Sequence, residues 1–175
     1  VVYSIFGGIH GGHVRRDLAD EAVGHGYACL EQQDCIDARV DLMTTEAFVH
    51  IHQNRVEPAF SVLDQAENLA EGMQVSRLPQ NFARLLMYCG DHADAEAYSL
   101  RGIEICKKAG NRVVLPYMHE ILGNALTART DWTVAKQVFH AGMDAAHADG
   151  DLRAKCQLFQ RMGHLLLKTG AYEEA

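Results

Sequence analysis

Residues 116–149 read PYMHEILGNALTARTDWTVAKQVFHAGMDAAHAD, and this stretch decides the fold. Its segment 122–126 (LGNAL) returns as 162–166 (MGHLL), and its turn 131–132 (DW) returns at the same offset as 171–172 (AY). Self-similarity at a fixed period of about 20–50 residues is typical of repeat architectures, and the offset here is about 40. The sequence therefore predicts stacked copies of one structural unit.

Each copy has the pattern of an α-helical pair. Apolar residues recur at helical spacing, as in Leu115, Met118, Leu122 and Leu126, whereas alternating β-branched runs are missing. Turn signals such as Gly90-Asp91 and Thr130-Asp131 separate the helical stretches. We therefore expect an all-α chain without strands, with nine helices forming four hairpins and one unpaired helix that ends at Ala175.

Small residues occupy one register throughout the chain. Fourteen equivalent positions hold only glycine or alanine: Gly7, Ala47, Ala83, Gly123, Gly163, Ala19, Ala59, Ala95, Ala135, Ala175, Gly26, Ala66, Gly102 and Gly142. Two helices can cross closely only where neither carries a large side chain. The register predicts a single repeat domain, truncated at both ends, with repeats at 1–33, 34–74, 75–110, 111–150 and, as a half repeat, 151–175.

These residues resemble the tetratricopeptide repeat (TPR) family, and the unit at 116–149 matches it best. The long spacing of the repeats is similar to the longer variety found in bacterial signal-responsive regulators, such as maltose-regulator-type activators and TPR-bearing diguanylate cyclases. The resemblance implies a right-handed TPR superhelix of antiparallel helix pairs, about four and a half repeats long. It also implies that the first helix of each pair lines a concave groove.

The resemblance places a set of residues in that groove, where we expect an extended peptide or a partner helix to bind. They are Asp41, Thr44, Phe48 and Ile51; Arg77, Gln80, Arg84, Met87 and the adjacent Tyr88; Tyr117, Glu120, Asn124 and Thr127; and Gln157, Gln160, His164 and Leu167. Arg77 and Arg84 lie two helical turns apart, so they are candidate anchors for an acidic or C-terminal carboxylate group. In the alternative interpretation, both arginines simply pair with Glu120 or Asp41 across the groove.

Composition excludes several function classes. With 23 acidic and 16 basic residues the chain has a net charge of −7, which argues against direct nucleic-acid binding. No run of about 18 apolar residues exists, so we expect no membrane segment. The five cysteines form no CxxC pair, which favours reduced thiols and a cytoplasmic location.

Motifs for catalysis and metal binding are incomplete. His119-Glu120 begins like a zinc-protease HExxH motif, but Gly123 stands where the second histidine ligand is required. Among the histidine pairs, His10 and His13 have a spacing that one helix face would allow, and ordinary solvated or packed roles are favoured for all ten histidines. We expect no enzyme activity, no cofactor and no metal site.

The sequence thus predicts a protein- or peptide-interaction module, a sensor or scaffold, that regulates an attached or associated bacterial signalling effector. Two alternatives remain open: a purely structural assembly or oligomerisation scaffold, and accessory repeats of an enzyme whose catalytic domain lies outside this segment. Leu158, Met162, Leu165 and Leu166 lie on the unpaired last helix, so we also expect an exposed apolar face and self-association through it. Glu46 replaces a large apolar residue, which predicts a local distortion in the second repeat.

Overall fold

The computed structural model describes residues 16–31, 35–71, 75 and 77–170. Over these ranges it contains eight helices and no strand, which confirms the all-α prediction. The helices are α1 (Arg16–Leu30), α2 (Ile36–His52), α3 (Val56–Leu69), α4 (Arg77–Cys89), α5 (His92–Ala109), α6 (Leu115–Ala128), α7 (Trp132–Asp149) and α8 (Leu152–Thr169). The predicted helix before α1, and Ala175, lie outside the described residues.

A turn with a left-handed backbone residue follows every second helix of the described chain. A residue with a left-handed backbone comes after each of α2, α4, α6 and α8, and these residues are Asn54, Gly90, Thr130 and Gly170. After Thr130, the backbone N–H of Asp131 donates a hydrogen bond of 2.9 Å to the carbonyl of Leu126 in the last turn of α6. This pattern caps the last turn of a helix and reverses the chain. Both predicted turns, at Gly90-Asp91 and Thr130-Asp131, are confirmed.

The helices group into two compact units, Val1–Met73 and Gln74–Ala175, which we call the N-terminal and C-terminal units. In the N-terminal unit, α2 packs against both α1 and α3. In the C-terminal unit each helix packs on the next, and α6 also contacts α4 and α8. Since α5 and α7, both described in full, do not approach each other, α4, α6 and α8 form one layer and α5 and α7 form the other.

One contact between neighbouring helices occurs in both units with the same sequence separation. In the N-terminal unit, Nε2 of Gln53 donates to Oδ1 of Asp20 over 3.4 Å. In the C-terminal unit Arg129 pairs with Glu96, and these two residues lie the same number of positions after Gln53 and Asp20, respectively. In each unit, the residue that follows one helix (α2 or α6) thus contacts the helix before it (α1 or α5).

The small residues lie where the helices meet. Of the twelve that fall within the described ranges, ten are buried, and Gly26 and Gly163 are partly exposed. A methyl group built on Gly123 would lie 2.7 Å from Cδ1 and Cζ of Phe139, which is closer than real side-chain contacts allow. The α6–α7 crossing therefore depends on the absence of a side chain at position 123.

The predicted exposed face of the last helix is wrong. Leu158, Met162, Leu165 and Leu166 are all buried, at 1 to 7% exposure, in the core that also contains Phe139. The reason is that α8 already has two neighbours, α7 and α6, which cover these side chains. The exposed large apolar residues of α8 are others: Leu152, Phe159 and Leu167.

The predicted distortion at Glu46 is also not found, because α2 runs without a break from Ile36 to His52. Glu46 is partly buried, and its Oε2 accepts a hydrogen bond of 2.5 Å from the hydroxyl of Tyr27 on α1. Burial and this hydrogen bond together raise the pKa of Tyr27 above its ordinary range. A polar contact between α1 and α2 replaces the expected apolar one.

Substitution of Thr130 by glycine is expected to stabilise the protein by about 1 kcal/mol, because a β-branched residue with φ of 68° is strained whereas glycine is not. Equilibrium urea unfolding of the two proteins measures the difference. Thr133→Gly, inside α7, is the matched control and should not stabilise. A Thr130→Gly protein that is less stable than the parent would contradict the left-handed assignment.

Substitution of Ala135 by leucine is expected to cost about 1–3 kcal/mol, because Ala135 is fully buried at the helix crossing and added methylenes overpack it. Thermal unfolding provides the measurement. Ala141→Leu on the exposed face of the same helix is the control and should leave the melting temperature nearly unchanged. Equal melting temperatures for the parent and Ala135→Leu would argue against close helix contact.

Candidate binding face

The groove residues predicted in the N-terminal unit have unequal access to solvent. Asp41 is exposed and Phe48 is half-buried, with its ring centroid 4.2 Å from that of His52. Thr44 is only 1% exposed and its hydroxyl donates to the backbone carbonyl of Asp41, while Ile51 is 7% exposed. The expectation that Thr44 and Ile51 present their side chains to a ligand is therefore wrong.

In the C-terminal unit, the layer formed by α4, α6 and α8 holds the remaining predicted residues and a cavity. The cavity has a volume of about 440 Å³ and is lined by Met87, Asn124, Thr127, Ala128, Arg161, His164, Leu167 and Lys168. Five of these eight residues belong to the predicted groove set: Met87, Asn124, Thr127, His164 and Leu167. The structure thus brings together residues of three helices, α4, α6 and α8, at one place.

The positions taken from the family pattern do not include Ala128, Arg161 and Lys168. Arg161, His164 and Lys168 recur at intervals of three and four residues, so they lie on one side of α8. The signal that could have found them is charge, since α8 contains four cationic residues and no acidic one. A search for one-sided charge on the first helices would have placed them beside His164.

Glu120 is the centre of a polar cluster next to this cavity. It is 8% exposed, and its Oε1 accepts a hydrogen bond of 2.9 Å from Nε of Arg161 on α8. Arg84 on α4 is also influenced by Glu120: burial lowers the pKa of Arg84, and the nearby carboxylate opposes that shift. One buried carboxylate on α6 therefore links the charges of α4 and α8, in line with the alternative interpretation of Arg84.

Tyr117 makes a second link from α6 toward α8. Its hydroxyl donates to Oδ2 of Asp151, the residue before α8, at 2.9 Å. Burial and this hydrogen bond raise the pKa of Tyr117 to about 12, so the hydroxyl stays protonated as a donor at neutral pH. In the described structure, Tyr117 and Glu120 therefore hold the first helices in register.

The remaining predicted residues lie on or near the same layer with different exposure. Arg77, at the first position of α4, is exposed, whereas Arg84, two turns on, is partly buried. Tyr88 and Gln160 are exposed, and Gln80 and Gln157 are half-buried. The two predicted anchor arginines therefore have different environments, and the cationic residues that line the cavity are on α8.

The histidine of the incomplete protease motif does not line the cavity. His119 packs against the α7 backbone, and a methyl group built on Gly142 would lie 2.9 Å from its Cβ. Burial lowers the pKa of His119 to about 4. Among the described residues, no group of three or more histidine, cysteine or acidic side chains is arranged to hold a metal ion, and His10 and His13 lie outside them.

No protein-family model matches the chain, and no curated protein matches it significantly. None of the described helices combines the length and the apolar character that crossing a membrane requires.

Substitution of Glu120 by alanine is expected to destabilise the protein by about 2 kcal/mol, because two guanidinium groups lose the buried carboxylate between them. Chemical unfolding measures the loss. A double-mutant cycle with Arg161→Ala should give a favourable coupling energy between the two residues. Glu104→Ala, which removes the exposed pair with Lys108, is the control and should leave stability nearly unchanged.

The lowered pKa of His119 predicts that the protein becomes less stable as the pH falls. Its pKa is about 4 in the folded state and about 6.5 when exposed, so the unfolded state binds the proton first as the pH falls. The contribution of neutral His119 to the free energy of unfolding, up to about 3 kcal/mol, is therefore complete above pH 6.5 and is lost as the pH falls to 4. Urea unfolding from pH 7 to 4 should show a smaller loss in His119→Gln than in the parent. Parallel losses in both proteins would contradict the assignment.

Proposed function

We propose that the chain is a TPR-type repeat array that acts as a protein- or peptide-interaction module, with the layer of α4, α6 and α8 as its binding face. The observation that carries this proposal is the cavity of about 440 Å³, to which three successive repeats contribute side chains. Its volume falls within the roughly 300–1,000 Å³ of ligand-binding pockets. A face assembled from several repeats suits an extended segment that contacts each repeat in turn.

The arrangement of the two layers supports a concave shape for this face. Among the first helices, α6 contacts both α4 and α8, whereas the second helices α5 and α7 do not approach each other, so the unit is narrower on the side of the first helices. The recurring left-handed turns and buried small residues support the repeat assignment. A right-handed superhelix is the form that the resemblance to TPR arrays implies for such a stack.

We infer that the output of binding is regulatory rather than catalytic. The long repeat spacing resembles bacterial regulators in which such repeats control an attached or associated signalling effector. All five cysteines are free thiols, which supports a reducing compartment such as the cytoplasm. The carboxylate closest to a catalytic motif, Glu120, is bound to Arg161, which favours a structural role for it.

Selection from a phage-displayed library of random 12-residue peptides tests the binding face. Selected peptides should bind the protein in fluorescence anisotropy with micromolar affinity. Ala128→Trp, which fills the cavity from an exposed position at the end of α6, should weaken this binding at least tenfold. Ala141→Trp on the exposed side of α7 is the matched control and should bind like the parent. Peptides that bind Ala128→Trp as tightly as the parent would overturn the proposal.

A further inference from the structure

The two layers of the C-terminal unit carry opposite charge. The first helices α4, α6 and α8 contain six cationic residues and one acidic residue. The second helices α5 and α7 contain four cationic and five acidic residues, and the whole chain has a net charge of −7. Positive charge is therefore concentrated on the layer that contains the cavity, although the net charge of the whole chain is negative.

The one acidic residue of these three helices offsets the charge of Arg161 only in part and does not reach Lys168. Glu120 is buried and its carboxylate is bound to Arg161, whose side chain is 40% exposed. Lys168 is exposed and lies two turns after Arg161, and no acidic side chain among the described residues lines the cavity. A ligand at the cavity therefore meets two cationic groups that face solvent on one helix, with His164 between them.

Apolar groups complete the cavity and favour a polypeptide as its ligand. Met87, Ala128 and Leu167 supply carbon surface, and Asn124 supplies an amide that can bond to a peptide backbone. Among the described residues, no phenylalanine, tyrosine or tryptophan ring lines the cavity, whereas sites for single-stranded nucleic acid commonly stack bases on such rings. Carboxylates next to an apolar side chain match this combination of groups.

We propose that this face binds an acidic segment of a partner protein, with carboxylates on Arg161 and Lys168 and a neighbouring apolar side chain in the cavity. The inference rests on the proposed function and specifies the ligand class. Arg161 and Lys168 are about 10 Å apart along α8, at about 1.5 Å per residue. A polyproline II segment presents every third residue on one side, about 9 Å apart. The distance between Arg161 and Lys168 therefore favours a polyproline II segment with two carboxylate side chains three residues apart.

Three labelled 12-residue peptides with blocked ends test this ligand class. The first has glutamates at its fifth and eighth positions, two leucines between them, and serine and glycine elsewhere; the others carry glutamine or lysine in place of the glutamates. The glutamate peptide should bind at least tenfold more tightly than the glutamine peptide in fluorescence anisotropy at 50 mM salt. Its affinity should fall as salt rises, because the contacts are ionic.

Charge reversal locates the contact. Lys168→Glu should weaken the glutamate peptide at least tenfold and strengthen the lysine peptide, whereas Lys108→Glu on the exposed side of α5 should change neither. Equal affinity of the glutamate and glutamine peptides would overturn the acidic ligand class. In that case the proposed peptide-binding function would still stand if the library-selected peptides bind Ala128→Trp more weakly than the parent.

Nucleic acid is the competing ligand class for a cationic face. A labelled 20-nucleotide oligothymidine should bind at least tenfold more weakly than the glutamate peptide under the same conditions. Tighter binding of the oligonucleotide that Lys168→Glu abolishes would overturn the proposal in favour of nucleic acid. Loss of glutamate-peptide binding in Lys168→Glu but not in Lys108→Glu, together with weak oligonucleotide binding, would support it.

Discussion

The close approach of helices at glycine and alanine is the constraint on which the rest of the structure depends. At the α6–α7 crossing, Phe139 occupies the space that a side chain at Gly123 would need, so the ring packs directly on the α6 backbone. Gly102 and Met118 meet in the same way between α5 and α6. Because these contacts fix the distance between neighbouring helices, they also determine that α4, α6 and α8 come close enough to form one face.

That face combines two kinds of interaction with different roles. Glu120 and Tyr117 are hydrogen-bonded across the layer, so they position α6 and α8 relative to each other. Lys168, His164 and Asn124 lie around the cavity. Burial of a charged group such as the Glu120 carboxylate costs free energy unless a partner compensates for the lost hydration, which explains why Glu120 is bound to Arg161.

The sequence predicts the features that a local rule controls. The backbone itself requires a particular residue type at a left-handed turn and at a close helix crossing. The turn at Gly90 and the crossing at Ala135 could therefore be predicted from the sequence. The ion pair of Arg161 with Glu120 joins residues that are far apart in the chain, and no repeat pattern specifies which polar residues pair across helices. The burial of Leu158 does not follow from the repeat register, because a last helix still packs on the two helices before it.

The one irregular spacing shows how such a chain can vary in length. The interval from Asn54 to Gly90 is shorter than the equal intervals from Gly90 to Thr130 and from Thr130 to Gly170, and α3 has 14 residues where α5 and α7 have 18. The difference is close to one helical turn of about 3.6 residues, so it shortens a helix by about 6 Å while rotating its faces by only about 40°. Loss of half a turn would rotate the helix by about 160° or more and bring polar side chains into the core. Length changes in helices of this kind are therefore compatible with the fold when they come in whole turns.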